Sequence, residues 1–101
     1  MNDPLVSAKA LEELIDELKT AETIFERAAL FSAIRVICTD FIDADYEQVN
    51  GYAKEKAGQI RWHSAAALGF DIDNGHSAQD HRAWAMGALW SLQDSLNQTL
   101  R

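Results

Sequence analysis

Cysteine and proline are nearly absent from this sequence, which contains one of each, Cys38 and Pro4. A single cysteine cannot form a disulfide within the chain, and this excludes the disulfide-rich class of small domains. One proline and five glycines among 101 residues also exclude the compositions that are typical of linkers and disordered tails. With 48% hydrophobic residues, the chain is expected to fold around one core as a single domain over residues 1–101.

The sequence also lacks segments that would direct it into or across a membrane. No apolar run approaches the roughly 18 residues that a transmembrane helix needs. Residues 1–4 carry neither the positive charge nor the apolar stretch with which a signal peptide opens. We therefore expect a cytoplasmic protein with no membrane partner. Cys38 lies among apolar neighbours and is expected to be a buried core thiol rather than a catalytic nucleophile.

Apolar residues recur at helical spacing along the whole chain, and no segment alternates as a half-buried strand does. This spacing predicts an all-α fold, a compact bundle of about four helices. Three of the helices are expected over roughly residues 4–19, 21–42 and 78–99. Another has a face that runs from Val49 to Ser64, and the Asn50-Gly51 step predicts that it begins after Gly51. A loop over residues 69–76 precedes the last helix.

The expected N-caps are Asp3, Thr20, the stretch 43–45, and Ser77 with Asp80 in an approximate capping box. The second helix is apolar over most of its circumference, so we expect it to be the central and most buried one. The predicted core residues share apolar character at helical spacing: Ile24, Phe31, Ile34, Cys38, Phe41, Ile60, Leu89 and Leu92.

Charge is unevenly distributed in this chain, whose formal net charge is −7. Residues 1–50 hold eleven acidic residues against four basic ones, whereas residues 51–101 hold five of each. All three tryptophans lie in the second half. An acidic protein repels phosphate backbones and is attracted to basic surfaces. Direct nucleic-acid binding is therefore disfavoured, and a protein partner with a basic surface is expected.

The first helix and the segment after it concentrate acidic side chains, some of them four residues apart, a spacing that destabilises an isolated helix. One interpretation is a solvated face that Lys9 and Lys19 partly neutralise. The other is an acidic ridge that docks onto a basic surface and speeds association. The ridge would consist of Glu12, Glu13, Asp16, Glu17, Glu22 and Glu26.

The stretch Glu12-Glu13-Leu14-Ile15-Asp16 also resembles the Glu-Glu-x-x-Glu pattern of the all-α nucleotide pyrophosphohydrolases. A second helix of that family bears Glu-x-x-Asp, and Asp40-Phe41-Ile42-Asp43 has this spacing with aspartate in place of glutamate. The resemblance implies carboxylates that hold Mg²⁺ against substrate phosphates. A magnesium-dependent enzyme is therefore the alternative to a binding protein.

Three histidines, His63, His76 and His81, suggest a zinc site, but their spacing matches none of the compact zinc motifs. A capped turn with surface or lightly packed histidines is favoured, and we expect neither a metal nor a cofactor.

A small basic patch, Lys54, Lys56 and Arg61, is interleaved with Tyr52 and Trp62. This combination can bind single-stranded nucleic acid, so a DNA- or RNA-associated regulatory protein is a further alternative.

The last helix carries Ala83, Gly87 and Ser91 at four-residue spacing, a stripe along which another helix could approach closely. Because a mid-helix glycine is unfavourable by propensity, we expect tight packing at Gly87. Trp84 and Trp90 flank the stripe. Together with Gly87 they are expected to contact a partner protein or a second copy of the chain.

By elimination, these patterns predict a protein–protein interaction module and not an enzyme, since no nucleophile–base pair or cleft motif is visible. In size, acidity and lack of motifs the chain is similar to phage and mobile-element inhibitors of host machinery, including anti-CRISPR proteins. By that analogy the partner is a larger, basic host complex. Self-association into a homodimer is a further expectation.

Overall fold

A computed structural model describes residues 3–71 and 75–99. Over these residues the chain forms four α-helices, which confirms the all-α prediction: α1 (Pro4–Asp16), α2 (Ile24–Asp43), α3 (Gly51–Ala67) and α4 (Ala78–Thr99). A short 3₁₀ helix, Glu17–Lys19, extends α1. Residues 72–74 of the predicted loop lie outside the described part of the chain.

The helices pack as a four-membered ring in which α3 and α4 make the most extensive contact. The two are antiparallel, because Ser95 near the end of α4 donates to Asn50 at the start of α3, while His63 and His81 meet at the opposite ends. α2 packs on α3, and α1 packs on α4 and less extensively on α2. The radius of gyration is 13.0 Å, the value expected for a compact chain of about 100 residues.

Side-chain caps determine where the helices begin. Asp3 accepts from the Leu5 N–H at 2.8 Å, and Pro4 follows as the first helical residue. Ser77 and Asp80 form the predicted reciprocal cap of α4, since each accepts from the other's backbone N–H. These two predicted caps are confirmed.

Two other predicted caps are wrong. The hydroxyl of Thr20 donates backwards to the Glu17 carbonyl at 3.0 Å and so closes the 3₁₀ helix. Thr23 caps α2 instead, in a capping box with Glu26. The stretch 43–45 ends α2 and does not begin α3. The Asn50 side chain caps α3 by accepting from the Ala53 N–H at 2.9 Å, so the predicted start after the Asn50-Gly51 step is nearly correct.

The turn that ends α3 depends on Gly69, whose φ is +84°. This left-handed conformation lets the Phe70 N–H donate to the Ala65 carbonyl at 2.9 Å and the Gly69 N–H donate to the Ala66 carbonyl at 3.2 Å. The pattern is a Schellman motif, which satisfies the last carbonyls of a helix. It directs Phe70 back over α2, where its ring stacks on Phe31 at a centroid distance of 5.7 Å.

The core is one cluster to which all four helices contribute. Of the eight predicted core residues, Ile34, Cys38, Phe41, Ile60, Leu89 and Leu92 are fully buried, and Phe31 is partly buried against them. Ile24 is 60% exposed, so its assignment to the core is wrong. The prediction that α2 is the central helix is also wrong. It packs on α1 and α3 along two flanks, and its outward face, which includes Phe25 and Val36, has no neighbour among the described helices.

None of the described helices combines the length with the apolar character that a bilayer-spanning segment needs. Cys38 is buried, as predicted. Burial raises the pKa of its thiol to about 12, an effect that the nearby positive charge of Arg61 partly offsets.

Two glycines should respond in opposite ways to alanine. Gly69→Ala forces a Cβ into a left-handed conformation and should lower the free energy of unfolding by about 1 kcal/mol. Gly87→Ala, in the interior of α4 where a Cβ would meet no atom within 4 Å, should raise it by about 0.5–1 kcal/mol. Urea unfolding followed by circular dichroism measures both. Equal effects of the two substitutions would contradict the Schellman turn.

Cys38 should react with a disulfide reagent such as DTNB only when the protein unfolds. At pH 8 the native thiol is buried and protonated, so labelling should be slow without urea and fast above the unfolding midpoint. Because the folded-state pKa of about 12 lies above the ordinary value of 9.0, the stability that this thiol contributes is complete below pH 9 and falls towards pH 12. Fast labelling of the native protein would place Cys38 at the surface.

Candidate functional site

A groove of about 320 Å³ lies between α1 and α2, at the least extensive of the four side-by-side helix contacts. Three of the apolar residues along it are alanines, and their side chains are too short to close the gap between the helices. Leu30 is buried at its base. The apolar lining consists of Leu14, Ala21, Ala29, Leu30 and Ala33.

The charged side chains that line this groove, among the described residues, are both glutamates: Glu17 from the 3₁₀ helix and Glu26 from the first turn of α2. The Glu26 carboxylate is held in place by the Thr23 N–H, which donates to it at 3.3 Å. Both glutamates are exposed, so their charges remain available at the rim. A ligand in this groove would meet apolar carbon at the base and negative charge at the edge.

The structure therefore divides the predicted acidic ridge. Glu12 bonds to Lys9 at 2.6 Å, and this hydrogen bond and the opposite charge raise the pKa of the lysine. The backbone carbonyl of Glu22 accepts two bonds from the Arg27 guanidinium, at 2.7 and 3.1 Å, which brings positive charge beside it. Glu13 and Asp16 are exposed on α1 but do not line the groove. Of the six ridge residues, Glu17 and Glu26 line the groove, and the role of the other four stays a prediction.

The outward face of α2 continues the apolar surface of the groove. Phe25 is 84% exposed, and Val36, three helical turns further on, is also exposed. The residues between them on this face are small and uncharged: Ala28, Ala29 and Ser32. This apolar strip is about 16 Å long, at the 1.5 Å rise of a helix. An exposed strip of this kind on a small protein is typical of a protein interface.

The carboxylates that the magnesium alternative requires do not converge. Within residues 3–71 and 75–99, no group of three His, Cys, Asp or Glu side chains is arranged to hold a metal ion. Glu12 is paired with Lys9, and Asp40 and Asp43 lie near the far end of α2. The resemblance to the pyrophosphohydrolase pattern is thus not matched by a shared site on the described helices.

A second cluster brings together three histidines and two tryptophans at the end of the bundle where α3 ends and α4 begins. The Nδ1 atoms of His63 and His81 lie 2.9 Å apart. Their ring centroids are 5.2 Å apart. This centroid distance is about the Nδ1–Nδ1 distance plus the radii of the two five-membered rings. The two nitrogens therefore face each other along the line between the rings, as in a straight hydrogen bond in which one ring donates.

Trp62 and Trp84 enclose this histidine pair. The His81 ring packs edge-on against both indoles at centroid distances of 5.2 and 5.3 Å, and His76 contacts Trp84 at 4.8 Å. His81 is only 1% exposed, so the expectation of surface or lightly packed histidines is wrong for it. The sequence spacing concealed this cluster because His63 and His81 lie 18 residues apart, on two helices. Only one hydrogen can occupy the Nδ1–Nδ1 bond, so protonation of both nitrogens would break it.

The small-residue stripe of α4 is not a packing surface within the described chain. A Cβ built on Gly87 would meet no atom within 4 Å, so the predicted tight packing at Gly87 is wrong for the isolated protein. Trp84 contacts the histidine cluster and is 42% exposed, and Trp90, further along α4, is 58% exposed. Trp84, Gly87 and Trp90 follow one another at three-residue spacing on α4, so their joint contact with a partner stays a prediction.

The predicted basic patch is divided as well. The Lys56 ammonium lies 5.1 Å from the centre of the Tyr52 ring, in a cation–π contact. Arg61 points to another side of α3 and donates to the Thr39 hydroxyl at 3.3 Å. Lys56 and Arg61 thus contact different neighbours on different sides of α3.

Replacing His81 should test whether the histidine–tryptophan cluster stabilises the fold. His81→Ala removes a buried ring and leaves His63 without this partner, and we expect a loss of about 3 kcal/mol in the free energy of unfolding. Gln79→Ala, an exposed position in the same helix, is the control and should change stability by less than about 0.5 kcal/mol. Urea unfolding monitored by tryptophan fluorescence measures both, and equal midpoints would show that the cluster contributes nothing.

Comparison of the chain with protein-family models, with curated protein sequences and with solved structures finds no match. The groove, the charges at its rim and the exposed strip beside it are therefore the observations on which a function can be proposed.

Proposed function

We propose that this protein is a cytoplasmic protein–protein interaction module whose α1–α2 groove binds a basic amphipathic helix of its partner. One observation carries the proposal: the groove is lined by apolar residues, and the charged residues at its rim are Glu17 and Glu26. Helix-in-groove recognition uses an apolar helix face for affinity, and charges at the edge for orientation and specificity.

The shape of the surface favours a helix as the occupant. The strip from Phe25 to Val36 extends over three turns of α2 beside the groove, so a second helix could lie along it with its side chains between those of α2. Ala28, Ala29 and Ser32 are small enough for a close approach of two backbones. Phe25, at one end of the strip, offers the largest exposed side chain for burial.

Charge favours a basic partner. The net charge of −7 resides in residues 1–50, which include both walls of the groove. Long-range attraction to a basic surface speeds association, and the effect weakens as salt concentration rises. The similarity to anti-CRISPR inhibitors in size and acidity suggests a larger host complex as the partner. A basic surface on such a complex would attract the acidic groove.

The proposal can be tested with a synthetic helical peptide that carries leucines on one face and lysines on the flanks. Calorimetry should show binding that weakens with added salt, and a peptide with glutamate in place of lysine should not bind. Glu17→Lys should weaken binding about tenfold, equivalent to ~1.4 kcal/mol. Glu17 is chosen over Glu26 because it takes no part in the cap of α2.

Glu55→Lys is the matched control, because it makes the same charge change at an exposed position of α3 outside the groove. Binding by this variant should stay within about twofold of wild type once long-range charge is screened by salt. Trp90→Ala tests the competing α4 surface. If Trp90→Ala abolishes binding while Glu17→Lys retains it, the groove is not the binding site. Light scattering on the free protein shows whether the strip pairs with a second copy instead.

A further inference from the structure

A larger pocket, of about 460 Å³, lies on the opposite flank of α2, between α2, α3 and the turn that ends α3. Its position depends on the Schellman turn at Gly69, which brings Phe70 onto Phe31. The stacked pair forms one wall, and the half-exposed indole of Trp62 lines another part. The pocket therefore offers several aromatic rings to one ligand, within the size range of small-molecule sites.

Two arginines, Arg35 of α2 and Arg61 of α3, line the same pocket. Neither forms an ion pair with any carboxylate in the described part of the chain. Arg61 uses one N–H toward Thr39, and a guanidinium has five such donors. The pair can therefore bind an anionic group such as phosphate, whose oxygens accept paired N–H donors from a guanidinium.

Gly58 is the second observation that indicates a ligand. It lies in the interior of α3, where glycine costs about 1 kcal/mol relative to alanine, and it lines the pocket. A Cβ at Gly58 would meet no atom within 4 Å, so packing within the described chain does not explain the glycine. The absence of a side chain at Gly58 leaves room for a ligand in the pocket.

From these observations we propose that the pocket binds a nucleoside monophosphate, with its phosphate on Arg35 and Arg61 and its base against the aromatic wall. Asp71, which also lines the pocket, can accept hydrogen bonds from the amino or hydroxyl groups of a nucleoside. A free mononucleotide is favoured over a nucleic-acid strand, because the net charge of −7 repels a polyanion. The site is separate from the α1–α2 groove and does not depend on a protein partner.

Isothermal titration calorimetry with AMP, UMP, adenosine and inorganic phosphate tests both halves of the site. A mononucleotide should bind at least about tenfold more tightly than either adenosine or phosphate alone, because it uses rings and guanidinium groups together. Phosphate that binds as tightly as AMP would overturn the role of the aromatic wall. A single-stranded oligonucleotide that binds more tightly than any mononucleotide would overturn the assignment in favour of a strand-binding surface.

Variants locate the site. Arg35→Ala removes an exposed guanidinium and should weaken AMP binding about tenfold, whereas Arg82→Ala, the same change on α4, should not. Gly58→Leu should fill the pocket and abolish binding with no loss of thermal stability. Gly87→Leu, at the other open mid-helix glycine, should leave binding unchanged. The proposal fails if no mononucleotide binds at millimolar concentration, or if Arg35→Ala and Gly58→Leu bind AMP like the wild type.

Discussion

The packing of α3 against α4 is the constraint on which the rest of the bundle depends. Small side chains on the inner face of α3 allow α4 to come close, and the leucines of α4 fill the space beside them. All of these residues are buried: Ala53, Ala57 and Ser64 on α3, and Leu89, Leu92 and Leu96 on α4. Because the two helices are antiparallel, the same contact brings His63 to His81 at one end and Asn50 to Ser95 at the other. The Asn50 side chain that caps α3 therefore also bonds to α4.

Around this pair, α1 and α2 differ in length and pack on their neighbours to different extents. The accessible surfaces lie where this packing is incomplete. α1 has 13 residues and α2 has 20, a difference of about 10 Å in length. One short helix cannot cover both the flank and the outward face of a longer one. The contact between α1 and α2 is limited and leaves the groove open, and the outward face of α2, with Phe25 and the apolar strip, has no neighbour among the described helices. The opposite flank of α2 packs on α3, but Gly58 leaves that contact open as well.

Helix α2 separates two surfaces that differ in charge. Glu17 and Glu26 border the groove on the α1 side of α2, whereas Arg35 and Arg61, together with Asp71, line the pocket on the α3 side. Neither surface corresponds to a continuous segment of the sequence. The groove uses two of the six acidic residues between positions 12 and 26. The pocket uses one arginine from α2 and one from α3. A basic helix and a small anion would not compete for the same groups, so the two proposed sites can be tested independently.

Local patterns in the sequence determined the helices, because caps and apolar periodicity act over three or four residues. Asp3 with Pro4, and Ser77 with Asp80, predicted the starts of α1 and α4, and periodicity identified Ile34, Phe41, Ile60 and Leu89 as core residues. The tertiary structure alone decided which apolar faces found a neighbour. Ile24 and Phe25 have the same local pattern as the core, yet both are exposed because no described helix lies over them. His81 resembles a surface residue until α3 places His63 and Trp62 against it. Periodicity reports that a face is apolar, but burial depends on whether another helix lies opposite, and that depends on residues far away in the chain.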